Sequence, residues 1–263
     1  MEHPLNTTTV PPGRVYIHWF GQSSFGVKDA AGTVLMIDPY SPHERPAERF
    51  IHATPPIDEK AIKTDYVLFT HDHRDHTCVE TVGRIAAAWP AARFCGPRES
   101  IDHIVAAGVP RERTEVIAAG ENRSLGSMQV WAVWAKPPQG DPQAGIAPPD
   151  VTHLGYVIDA GGVRLYFSGD PINTFAEHDA LIEPIKALAP HIGMLTCHPT
   201  EGEFPYFDGS VKMARRIGLQ TAVPSHYACF VKRNYDPHAW ASHFGPGDPQ
   251  TLIIPYNDGI LYP

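Results

Sequence analysis

Thr70-His71-Asp72-His73-Arg74-Asp75-His76 is the stretch that decides how this chain is read. Three imidazoles and two carboxylates fall within six residues, directly behind the apolar run at 66–70. That run has the length and composition of a buried strand. Imidazole nitrogen and carboxylate oxygen are the ligands that zinc, iron and manganese accept. A turn leaving a strand can direct His71 and His73 to one side while Asp75 and His76 reach a second centre nearby. A solvated polar loop is the bland alternative, but such loops rarely carry three histidines in this pattern.

Outward from the cluster, the chain alternates strand and helix signals. Before it, residues 14–20, 24–27 and 33–38 are short, apolar and β-branched, broken by Gly21 and Gly32, and they read as a strand meander. Pro39 stops the third. Residues 1–13 read as a loose lead-in and 40–57 as a surface loop. After the cluster, 79–89 and 98–107 read as helices, and 93–95, 114–117 and 128–134 as strands. Residues 136–151, rich in Pro and Gly, cannot easily form helix or sheet and are either a lid or a plain loop. Residues 154–158 and 163–167 flank a hairpin turn. A helix at 175–188, a strand at 192–196, a helix at 211–217 and strands at 221–224 and 251–256 complete the pattern. This order fits an α/β fold, a two-sheet sandwich covered by helices, as one domain over residues 1–263.

Composition narrows the function. A chain of 263 residues with 43% apolar content can bury a large core. Its net charge of −8 argues against a general affinity for nucleic acid. An anionic small-molecule substrate stays allowed, because a bound metal reverses the local field. The four cysteines form no CxxC pair, which speaks for a reducing compartment and against a disulfide framework. No export signal and no apolar run of membrane-spanning length is visible, so the expectation is a soluble, cytoplasmic protein with no membrane partner. A homo-oligomer is left open. The chain has no Gly-x-Ser-x-Gly elbow, which weakens a serine-hydrolase reading.

The pattern His71-x-His73-x-Asp75-His76 resembles the signature of the metallo-β-lactamase superfamily. The resemblance implies a four-layer αββα sandwich and two divalent metal ions, zinc or manganese. It assigns His71 and His73 to metal one, and Asp75 and His76 to metal two. Tyr166-Phe-Ser-Gly169-Asp170 is similar to the family strand ending in Gly-Asp, whose Asp bridges both metals. Pro224-Ser-His226-Tyr resembles the last family histidine, a ligand of metal two. Ile37-Asp38-Pro39 looks like the early family Asp that orients a ligand from behind. The third ligand of metal one is, in the family, a His upstream of the Gly-Asp strand. His153, 17 residues before Asp170 and at a strand start, suits that role, whereas some relatives carry the His where this chain has Lys136.

Within the superfamily, several segments resemble the L-ascorbate-6-phosphate lactonase group. They are His18-Trp-Phe-Gly-Gln-Ser-Ser-Phe, Phe69-Thr-His-Asp-His-Arg-Asp-His, Gly108-Val-Pro-Arg-Glu-Arg and Val223-Pro-Ser-His-Tyr. The resemblance implies hydrolysis of a lactone or phosphodiester by a metal-bound hydroxide. Candidate catalytic residues are Asp72, Asp75 and His198. Asp72 follows His71 and could orient the water or accept its proton, with a structural hydrogen bond as the alternative. His198 could bind substrate or serve as an acid, against a plain loop histidine. Tyr227 reads as packing, and Lys232-Arg233 as a phosphate contact or a solvated pair. Three rivals remain: a di-iron redox member, a β-lactamase proper, and a non-catalytic binding module on the same fold.

Overall fold

The computed structural model describes residues 2–263. The chain opens with a short helix, α1 (Pro4–Thr7), and a meander of β1 (Val15–Trp19), β2 (Phe25–Lys28) and β3 (Val34–Ile37). Then β4 (Tyr66–Leu68), α2 (Val79–Ala88), β5 (Arg93–Gly96), α3 (Arg98–Ala106) and β6 (Thr114–Val116) alternate. A second set follows: β7 (Asn122–Leu125), β8 (Met128–Trp134), β9 (Leu154–Ala160) and β10 (Val163–Phe167). Next come α4 (Asp179–Ala187), β11 (Ile192–Thr196), α5 (Phe207–Ile217) and β12 (Thr221–Ser225). The chain closes with α6 (Pro237–Ala241), β13 (Gln250–Thr251) and β14 (Asp258–Tyr262).

Two seven-stranded mixed sheets result, in the orders β14-β1-β2-β3-β4-β5-β6 and β13-β12-β11-β10-β9-β8-β7. In each, one half is antiparallel and the other parallel. The two-residue side-chain period explains the layers. Leu35, Ile37, Leu68 and Cys95 point into the core shared with the second sheet. Their neighbours Val34, Met36, Val67 and Phe94 point outward, under Val82 and Ile85 of α2 and Ile101 and Ile104 of α3. On the far side Ile182 and Ile185 of α4 and Met213 and Ile217 of α5 cover the second sheet. Helix, sheet, sheet, helix is the four-layer αββα sandwich, with strands buried on both faces.

Four expectations need correction. The stretch read as a loose lead-in over 1–13 is not loose in its described part, 2–13: Leu5 is fully buried, and its side chain lies where a Cβ on Gly26 would meet it at 2.5 Å. The last strand is not at 251–256. Only Gln250–Thr251 pair there, and the long closing strand is β14, antiparallel to β1 from Asp258 to Tyr262. Pro255 and the positive φ of 52° at Asn257 turn the chain between them. Strand β7 went unread because Asn-Arg-Ser-Leu is a polar edge strand, a composition that protects an edge rather than advertising a core. The helix read at 175–188 is split by an extended His178 into a short 3-10 turn and α4. No helix among the described residues is long and apolar enough to cross a membrane. All four cysteines are buried and free.

Candidate metal centre

The site forms where parallel strands end, the place at which open α/β sheets ordinarily bind ligands. Asp38 follows β3, the His71–His76 turn follows β4, Asp170 follows β10 and His226 follows β12. Strand β9 is antiparallel to β10, so its start lies at the same edge, and His153 stands just before it. Two cross-links hold that start beside the histidine turn. Leu154 N donates to Thr70 O at 2.9 Å, and Tyr156 Oη donates to Phe69 O at 2.7 Å.

The residues expected as ligands converge. His71, His73 and His153 offer nitrogens within 4.8 Å of one another, and Asp75, His76 and His226 form a second group of the same reach. Asp170 stands between them. Its Oδ2 is 3.6 Å from His71 Nε2 and 3.4 Å from His76 Nε2, and its Oδ1 is 3.6 Å from His226 Nε2. His153 stacks on His71 with ring centroids 4.1 Å apart. His73 and Asp75 are the more open members, and His73 Nε2 lies 3.1 Å from Asp150 at the end of the 136–151 loop.

A metal-binding set needs its nitrogens free on one side and fixed on the other. Asp38, completely buried, accepts from His76 Nδ1 at 2.7 Å and from Thr70 N at 2.8 Å. Thr70 Oγ1 lies 3.0 Å from His71 Nδ1. These bonds leave the Nε2 atoms of His71 and His76 facing inward. Both are buried with no hydrogen-bond partner among the described residues, as are Asp170 Oδ1 and both nitrogens of His153. Leaving such groups buried and unpaired is costly, about 1–3 kcal/mol each. Their convergence therefore fits a cation-binding set. Strain is stored here as well: Asp38 and His226, neither of them glycine, hold φ of 44° and 70°.

The charges agree. Burial, with His76 and His153 nearby, holds His71 well below the ordinary histidine value. Burial and the Lys136 ammonium push His153 down to about 3. Both imidazoles are thus neutral and ready to donate a lone pair. Burial also opposes a charged His76, but the carboxylates of Asp170 and Asp38 outweigh it and raise its pKa well above normal. Burial opposes a charged Asp170 too, but His76 and His226, with a smaller contribution from His71, hold its carboxyl well below the usual carboxylate range.

Other expected residues fall differently. Asp72 is not among the grouped ligand atoms, and its Oδ1 accepts from His103 Nδ1 of α3 at 2.9 Å, the structural hydrogen bond that the sequence allowed as an alternative. His198 is buried, and its Nδ1 accepts from Glu201 N at 3.0 Å and Thr200 N at 3.3 Å. That fixes the tautomer, so Nε2 carries the proton and has no partner among the described residues. Burial lowers its pKa and keeps it neutral. Tyr227 packs between Trp19 and Tyr235, at 4.5 and 4.9 Å.

Gln22 was missed as a site residue. Its Nε2 is 2.8 Å from both Asp75 Oδ2 and His226 Nε2. It lies inside the His18–Phe25 segment that resembles the lactonase group, a signal that marked the stretch without marking this residue. Glu203 was missed too, and its carboxylate lies within 4.8 Å of the His73 and Asp170 ligand atoms. Lys136 holds it at 3.1 Å, so the lysine at the alternative ligand position serves this carboxylate instead. Beside Asp75 opens a cavity of about 400 Å³, lined in part by Arg49, Arg74, Phe230 and Lys232.

The family model for the β-lactamase superfamily domain matches residues 33–227, which contain the histidine turn, His153, Asp170 and His226. The chain belongs to the metallo-β-lactamase superfamily. Its superfamily relatives include the UPF0173 metal-dependent hydrolase of Anaeromyxobacter sp. (strain K), 29% identical over 230 residues, covering 83% of this chain and 76% of that one. The probable L-ascorbate-6-phosphate lactonase UlaG of Salmonella paratyphi B is 28% identical over 275 residues, covering 90% and 76%. Among solved structures, the metallo hydrolase Igni18 of Ignicoccus hospitalis has the same fold. It superposes with a TM-score of 0.69 at 20% identity, covering 95% of this chain and 99% of that one.

Proposed function

We propose that this metallo-β-lactamase-fold chain is a metal-dependent hydrolase with two divalent cations, zinc or manganese, acting on a small molecule with a lactone or phosphodiester bond. The observation that carries the reading is the inward convergence of unpaired, buried ligand atoms from His71, His76, His153 and Asp170. His71, His73, His153 and Asp170 would hold one cation, and Asp75, His76, His226 and Asp170 the other. Cations bound there supply water activation and Lewis-acid polarisation of the oxygen under attack.

The protein's own groups do the remaining work. Asp38 fixes the ring of His76 and with it the orientation of its Nε2. Gln22 donates to Asp75 and restricts how that half-buried carboxylate can turn. His198 presents a neutral Nε2–H that can donate to a substrate oxygen as negative charge develops on it. In a lactone the ring C–O bond breaks, the water oxygen joins the acyl carbon, and a proton passes to the released oxygen. The lactone arm is favoured by similarity to the L-ascorbate-6-phosphate lactonase over most of both chains.

The test is an assay of the purified chain, loaded in turn with zinc and manganese, on a γ-lactone and on bis(p-nitrophenyl) phosphate. Hydrolysis of either one, abolished by a chelator and restored by the cation, is the expected result. No hydrolysis by any loaded form of either substrate contradicts the proposal.

A further inference from the structure

The chain carries a net charge of −8, yet the cavity beside Asp75 is walled by cations. Arg49, Arg74, Lys232 and Arg233 line it against two acids, Glu48 and Asp75. Arg233 is committed to Glu201 at 3.2 Å and Glu203 at 3.8 Å. The other three differ. Among the described residues, no carboxylate forms an ion pair with Arg49, Arg74 or Lys232. Like charges gathered without ion-pair partners repel one another at close range, a cost that a bound anion would relieve.

These cations are also held in place. Val231 N donates to Arg49 O at 2.9 Å, and Phe50 bridges Phe230, so the two segments that carry Arg49 and Lys232 are tied together. The Arg49 guanidinium lies 5.2 and 5.5 Å from the Phe50 and Phe230 ring centroids, a stacked arrangement that steadies it. Arg74 sits between His73 and Asp75, in the turn closed by His76 N donating to His73 O at 2.9 Å. About 400 Å³ is room for a small molecule.

We propose that this cavity is a subsite for an oxyanion, phosphate or carboxylate, that the substrate carries away from its scissile bond. The inference rests on the hydrolase reading above and narrows its substrate to anionic small molecules. Arg49, Arg74 and Lys232 hold the oxyanion, the Phe230 ring lies under the adjoining carbon skeleton, and the reacting bond is presented on the Asp75 side.

The test is calorimetric binding of glucose 6-phosphate, glucuronate and glucose to the metal-loaded chain and to an Arg49→Gln/Lys232→Gln double variant. Binding is repeated after removal of the cations with a chelator. The wild type is expected to bind at least one of the two anions and not glucose. The double variant is expected to bind that anion about tenfold more weakly or worse, with metal content unchanged. High salt weakens the wild-type interaction in the same sense. Preference for glucose 6-phosphate assigns the subsite to phosphates, and preference for glucuronate assigns it to carboxylates. Lys232→Arg in the Arg49 wild-type background, which keeps the charge, retains binding. Equal affinity of wild type and double variant overturns the proposal, because the anion then sits on the bound metal ions or elsewhere. Glucose bound as well as the anions overturns it too. Anion binding that survives chelation stands even if no hydrolysis is found, which separates this inference from the reading it rests on.

Discussion

Asp170→Asn is expected to lower hydrolysis by roughly 10²–10³-fold or more, with the fold intact. The carboxylate is almost fully buried, and each of its oxygens faces at least one ligand nitrogen, with His71, His76 and His226 all within 3.6 Å. It is held ionised there against the cost of burial. Asparagine has the same shape but removes the charge that would balance the two proposed cations in a low-dielectric pocket. It also presents an NH₂ where an acceptor is needed. Measured kcat and metal content on a variant with an unchanged far-UV spectrum check this. Activity within a factor of a few of wild type would mean that Asp170 is not the shared ligand.

Gly169→Ala is the second substitution with a large expected effect, and it acts through the backbone. Gly169 holds φ of 57°, and a Cβ there would stand 2.4 Å from Leu154 O. That oxygen belongs to the residue whose N–H ties β9 to Thr70, so it cannot yield without moving His153 or the histidine turn. A left-handed alanine and a backbone collision together should cost roughly 2–4 kcal/mol. The same shift displaces Asp170, the next residue, so metal affinity falls along with stability. Denaturant midpoint and cation titration read the two effects. A variant with wild-type stability and wild-type metal affinity would show that this turn does not position the site.

Much of the centre was legible because its chemistry is dense in sequence. His71, His73, Asp75 and His76 lie on one turn, and no other fold-level demand places those residue types together. Asp170, His226 and His153 were named through the resemblance of their segments to family motifs, and the ends of β10 and β12 and the antiparallel start of β9 are the physical reason that these residues meet at one edge. For Asp72 the sequence left a catalytic role and a structural hydrogen bond both open, because adjacency in sequence does not set direction, and the carboxylate is found bonded to His103. Gln22, Glu203 and Arg49 reach the site from segments far away in the chain. Each is a single polar residue without a pattern, and only tertiary contacts reveal it. The fold shows the same contrast. Central strands announced themselves by apolar runs, whereas polar β7, the short β13 and the displaced β14 owe their places to partners.

The most direct test of the account is element-resolved metal content of the purified chain and of His153→Ala, both loaded at pH 8. A higher pH weakens the competition between the proton that Asp170 and Asp38 favour on His76 and an entering cation. The account predicts about two equivalents of zinc or manganese per wild-type chain, and about one in the variant. One equivalent in both proteins, or none in the wild type, would contradict it.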